Sequence, residues 1–86
     1  MFFTYVLENE EKDFYIGYTS DLKRRLKEYN QSKTFSTKGH IWKCVYYEAC
    51  LDDEDARRRE GYFKTTQGRR LLKRRLKEYL YKRRAS

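Results

Sequence analysis

The chain has 86 residues, of which 40% are charged and 17% aromatic, with a formal net charge of +8, two cysteines and no proline. A length of this order gives one domain, residues 1–86, with a small core that large rings fill economically. No apolar run is long enough to span a membrane, and Cys44 and Cys50 with a single histidine do not make a Cys/His zinc site but suit two thiols in a reducing cytoplasm.

Met1–Leu7 is apolar and β-prone and lacks the basic start of a secretory leader, so it reads as a first strand. A polar connector leads to Phe14–Tyr18, and two such runs across a short loop predict an antiparallel hairpin. Thr19, Ser20 and Asp21 offer N-cap oxygens, and Leu22, Leu26 and Tyr29 share a stripe, so residues 21–31 read as an amphipathic helix. A polar loop over 31–39 precedes a third strand at Ile41–Glu48. Asp52–Asp55 opens a second helix reaching about residue 65; acids there complement the helix dipole, which outweighs a metal cluster as their explanation. Thr65–Gly68 reads as a break, and 69–83 as a third helix with Leu72, Leu76 and Tyr79 on one side. The order β-β-α-β-α-α predicts an α+β fold, a three-stranded, mainly antiparallel sheet flanked by three helices. The octapeptide Leu22–Tyr29 recurs unchanged at Leu72–Tyr79 with unlike flanks, as expected of reused helix-forming residues and not of a structural repeat.

The charge is unevenly placed. Residues 1–66 hold twelve acidic and twelve basic side chains, whereas 67–86 hold nine basic and one acidic, so the whole excess lies at the end. Arg69, Arg70, Lys73, Arg74, Arg75 and Lys77 form a basic stripe suited to a polyanion, nucleic acid above all; the alternative is a solvated helix face. Two side chains stand off pattern. Arg25 lies at the edge of its helix's apolar stripe, where a guanidinium either meets an anion or reaches past the core to water. Glu60 shares a helix face with Ala56 and Phe63, where a carboxylate needs a cation or a salt bridge. Gly61 beside it is costly in a helix unless another backbone comes close. Tyr5 and Tyr15 fall on neighbouring strands, where tyrosine is common for packing alone.

Thr4-Tyr5-Val6, Tyr15-Ile16-Gly17, Asp21-Leu22 and Arg25, together with Trp42–Glu48, Ala56–Glu60, Phe63-Lys64, Gly68-Arg69 and Leu72-Lys73, resemble the GIY-YIG endonuclease family. The likeness is to its short stand-alone members, relatives of the catalytic domain of the bacterial excinuclease, and it covers nearly the whole chain. It implies a cytoplasmic endonuclease acting on DNA, with a link to DNA repair. It also implies a catalytic set of Tyr5, Tyr15, Arg25 and Glu60 converging in one shallow cleft, with Glu60 binding one divalent cation, Mg²⁺. Gly17 would let backbone approach the site. The family's histidine, four residues after the arginine, is replaced by Tyr29, and the one histidine, His40, lies before the third strand; Tyr29 and His40 are therefore expected in accessory roles. The rival reading is a catalytically weak binding module of the same fold. A monomer and a weak homodimer fit the sequence equally.

Overall fold

The computed structural model describes residues 1–31 and 40–85, with side chains described as far as Arg83. The elements run β1 (Phe2–Glu8), β2 (Phe14–Thr19), α1 (Leu22–Asn30), β3 (Lys43–Cys50), α2 (Asp53–Phe63), α3 (Thr66–Arg75) and α4 (Lys77–Ala85). The fold is α+β as expected, but with four helices. The strands form one antiparallel sheet in the order β2-β1-β3, with β1 central and a register shift against β3 between Val6 and Leu7. No described helix is long and apolar enough to cross a membrane. The polar loop expected over 31–39 falls outside the described residues beyond Gln31.

Side chains alternate along β1, and two cores result. On the front face Tyr5 and Leu7 pack with Tyr29 of α1 and Trp42, flanked by Tyr15, Leu22 and Leu26. On the back face Val6 and Ile16 pack with Phe63 of α2 and Leu72 of α3. Each fully buried side chain of this size contributes about 1.5–3 kcal/mol. The buried Thr4 hydroxyl ties β1 to α2 by donating to the Ala56 carbonyl at 2.8 Å, a contribution of about 1 kcal/mol.

Helix starts follow the chemistry of their caps. Asp21 accepts from the Arg24 amide and Asp52 from the Glu54 amide, so the acids at 52–55 are a cap and a first turn, as the dipole argument requires. Thr65 accepts from the Gly68 amide. The segment 65–68, expected to be a break, is thus the cap and first turn of α3. Gly68 is buried there because α2 passes against it: a Cβ at Gly68 would overlap the Tyr62 carbonyl. Gly61 is the reverse: among the described residues nothing lies within 4 Å of a Cβ there, so they supply no close contact of the kind expected to explain it.

The single third helix expected over 69–83 is two. Leu76 caps α3 and is 7% exposed, and α4 begins at Lys77. Residues 22–29 form one helix, yet the same octapeptide at 72–79 is interrupted at its second leucine. Local propensity is identical in the two copies, so tertiary contacts decide. In the second copy Tyr79 donates a hydrogen bond to the carboxylate of Glu8 on β1, which is 2% exposed and also contacts the Arg83 guanidinium. A carboxylate this deep needs such partners, and both come from α4, beyond the interruption at Leu76.

Candidate active site

Tyr5 sits mid-way along the central strand, paired with Gly17 of β2. Its ring lies across Gly17, where a Cβ would overlap the phenol ring and hydroxyl. Gly17 therefore admits the Tyr5 side chain, a different service from the backbone approach expected of it. The Tyr5 hydroxyl lies 3.3 Å from that of Tyr29, which α1 brings down onto the sheet. Tyr15, two residues before Gly17, places its ring 5.7 Å from Tyr29 and 6.1 Å from Trp42. Arg25, one turn before Tyr29, completes the group; its side chain is 36% exposed and its Nε is 3.5 Å from Glu28.

Burial pushes the Tyr5 phenol above its ordinary value, and the Tyr29 hydrogen bond and the Arg25 charge only partly offset this. Tyr29 is pushed up more strongly, by burial first and then by its hydroxyl contacts with Tyr5 and Tyr15. Burial alone would favour neutral Arg25, but the hydroxyls of Tyr5 and Tyr29 and the Glu28 carboxylate hold its proton. Tyr5 and Tyr29 are thus neutral hydrogen-bonding groups beside one permanent cation. Such a set suits a phosphate oxygen, which takes hydrogen bonds from hydroxyls and a fork from a guanidinium.

Glu60 approaches from the other layer. It lies on α2, half-buried, with Lys64 Nζ 3.1 Å from its carboxylate. Asp53, Arg57, Glu60 and Lys64 form one stripe of that helix. The stripe faces β2, since Tyr18 donates to Asp53 and the Arg57 guanidinium sits 4.5 Å from the centre of the Tyr18 ring. Glu60 thus belongs to the α2 layer, whose Phe63 packs in the back-face core, whereas Tyr5, Tyr15 and Tyr29 belong to the front-face core.

His40 is engaged elsewhere. Its Nδ1 is 2.8 Å from Glu10 of the hairpin loop, a contact that raises its pKa, and its ring packs 5.9 Å from Trp42. The same Glu10 carboxylate accepts from the Ile41 amide, a bond that leads the causes holding Glu10 down to about 2. The expected basic stripe divides. Arg69, Lys73 and Lys77 line a groove of about 1000 Å³ with Lys12, Asp13 and Phe14 of the hairpin and Leu80, Tyr81 and Arg83 of α4, whereas Arg70, Arg74 and Arg75 lie outside it.

Compared with known proteins, the chain matches the GIY-YIG catalytic domain over residues 1–74. The chain belongs to the GIY-YIG family. It is 39% identical over 64 residues to the UPF0213 protein SAG0778 of Streptococcus agalactiae serotype V, covering 72% of this chain and 73% of that one. The UPF0213 protein gbs0798 of S. agalactiae serotype III gives the same figures. The UPF0213 protein spr1390 of Streptococcus pneumoniae is 36% identical over 64 residues, with 72% of this chain and 65% of that one covered. No solved structure matches. Membership makes this an endonuclease domain with a nucleic-acid substrate. The GIY-YIG match includes Tyr5, Tyr15, Arg25 and Glu60 and ends before α4 begins.

Two buried side chains have structural roles that the sequence pattern does not assign. Tyr29 reads there as part of the α1 apolar stripe and as the replacement of a histidine, whereas in the structure it is the buried hub on which Tyr5, Tyr15 and Trp42 pack. Buried Glu8, the latch for α4, does carry a signal: it continues the alternation of Thr4 and Val6 onto the back face.

Proposed function

We propose that the chain is a divalent-metal-dependent endonuclease that nicks DNA, with structure preferred over sequence, and that Tyr5, Tyr15, Arg25 and Glu60 act on one phosphodiester. The observation that carries this reading is the placing of Arg25 beside the hydroxyls of Tyr5 and Tyr29 on the front face. In hydrolysis a water oxygen bonds to phosphorus while one ester P–O bond breaks and the departing oxygen takes a proton. Arg25 holds the non-bridging oxygens as negative charge gathers on them. Tyr5 and Tyr15 orient the attacking water. Burial keeps the Tyr5 proton in place, so Tyr5 serves as a base only with a cation beside it.

Glu60 is the residue that would hold that cation, Mg²⁺ in this reading. The donor chemistry fits, because Mg²⁺ is a hard ion commonly held by one or two carboxylates together with water and substrate phosphate. Glu60 supplies one such carboxylate, half-buried on α2, with the flexible Lys64 ammonium as its partner among the described residues. When bound, the cation supplies charge stabilisation at the phosphate and the departing oxygen. The one described cluster of three metal-ligating side chains, Glu10, Glu11 and His40, is a separate group at the hairpin loop.

Purified protein is expected to nick supercoiled plasmid or branched DNA in Mg²⁺ and not in chelator. Glu60→Gln should slow nicking by at least about 10²-fold. Its DNA affinity in chelator should stay within about twofold, because lysine and arginine contacts to phosphate supply most of it. Nicking in chelator, or nicking untouched by Glu60→Gln, would refute the metal role, and a folded wild type that cuts no DNA would leave a binding module.

A further inference from the structure

The sheet separates the Arg25 group from the groove formed by the hairpin tip, α3 and α4, and the chemistry of that groove differs from that of the α1 and α2 surfaces. On α1 and α2 the arginines have acid partners: Arg24 and Arg25 meet Glu28, Arg57 meets Asp53, Arg58 meets Asp55 and Arg59 meets Glu48. The groove's cations are Lys12, Arg69, Lys73, Lys77 and Arg83 against a single lining acid, Asp13; Arg83 is bound to Glu8, and among the described residues none of the other four is ion-paired. Collecting like charges in one concavity costs self-repulsion that a matching anion removes.

Charge is not the only feature. Tyr81 lines the groove and is 68% exposed, and Phe14 and Leu80 lie beside it. An exposed ring within a basic wall gives an unpaired base a surface to stack on. The walls are also fixed. Glu8 latches α4 through Tyr79 and Arg83, and the Asn9 side chain holds the hairpin tip by accepting from the Glu11 and Asp13 amides at 2.9 Å each.

We propose that this groove is a second nucleic-acid site that takes a single strand, its phosphates on Lys12, Arg69, Lys73 and Lys77 and a base against Tyr81. The inference rests on the reading of the chain as a nuclease and adds the class of substrate: DNA in which an unpaired arm leaves the duplex. A duplex at the Arg25 group and a strand in the groove lie on opposite faces of the sheet. A flapped or branched molecule supplies both, and an uninterrupted duplex supplies one.

The test is binding of a short fluorescein-labelled oligothymidylate by the full chain across a salt series in chelator. The pair Lys73→Gln and Lys77→Gln should flatten the log–log salt slope by about 1.4, or 0.7 for each lost phosphate contact. Tyr81→Ala, a change at an exposed position, should weaken single-strand affinity roughly 5- to 150-fold, the range for one lost stacking contact, and leave duplex affinity alone. The pair Lys23→Gln and Arg58→Gln, which removes equal charge at exposed positions of α1 and α2 away from the groove, should change affinity by less than about twofold. Equal losses from the two pairs, or no loss with Tyr81→Ala, would overturn the inference. The two readings fail separately: a wild type that binds through the groove but cuts nothing refutes the nuclease mechanism and supports the groove. A wild type that cuts while oligothymidylate binding ignores the groove variants refutes the groove alone.

Discussion

Arg25→Ala is expected to slow single-turnover nicking by about 10³-fold, the scale of removing a group that stabilises charge developing on phosphate. The fold should tolerate the change. The Arg25 side chain is 36% exposed and its acid contact, to Glu28 at 3.5 Å, is a within-helix pair of a kind worth about 0.5 kcal/mol or less. A midpoint of thermal unfolding close to the wild type's, together with the rate loss, would separate chemistry from folding. Arg25→Lys should recover part of the rate, since it restores the charge but not the planar two-point fork. A variant that nicks at the wild-type rate would remove Arg25 from the mechanism.

Gly68→Ala is expected to destabilise the domain by about 2–3 kcal/mol, near the upper end of overpacking costs. A Cβ there meets the backbone carbonyl of Tyr62, which cannot swing aside as a side chain could. Relief requires α3 to withdraw from α2, opening the contact between Leu72 and Phe63 that closes the back-face core. The helix propensity gained by replacing glycine, about 1 kcal/mol, offsets only part of this. Gly61→Ala provides the control, because a Cβ there meets nothing within 4 Å among the described residues and the change should stabilise by about 0.5–1 kcal/mol. Urea unfolding midpoints moving in opposite directions would confirm the pair; equal shifts would show that the approach of α2 and α3 at Gly68 is not tight.

The contrast between these glycines shows where the sequence is legible. Both stand in helices, and the string does not show which of them another helix approaches. Gly61 draws notice for its neighbour Glu60, and Gly68 reads as a break, because a close approach between helices is a property of their packing. The strand pairing is readable, since Phe2–Leu7 and Phe14–Tyr18 are apolar, β-prone runs across a short polar loop. So is the edge position of Arg25, set by its spacing from Leu22 and Tyr29. The turn at Leu76 is not: residues 72–79 repeat 22–29 letter for letter, and the difference lies in Glu8, more than sixty positions away in the chain. The basic stripe is visible as a total charge, but its division into a groove side and an outer side depends on where the hairpin tip carries Lys12.

In the proposed mechanism Glu60, on the back layer, and Arg25, on the front, work on the same phosphate around the edge strand β2. The most direct measurement of this is paramagnetic broadening by Mn²⁺ in NMR spectra of the full chain bound to a phosphorothioate duplex that resists cutting. Mn²⁺ is expected to broaden the Glu60 and Gly17 amides and the Arg25 Nε–H together, and Glu60→Gln to abolish all three effects. Broadening confined to Glu10, Glu11 and His40, or broadening at Glu60 that leaves Arg25 and Gly17 sharp, would contradict the mechanism.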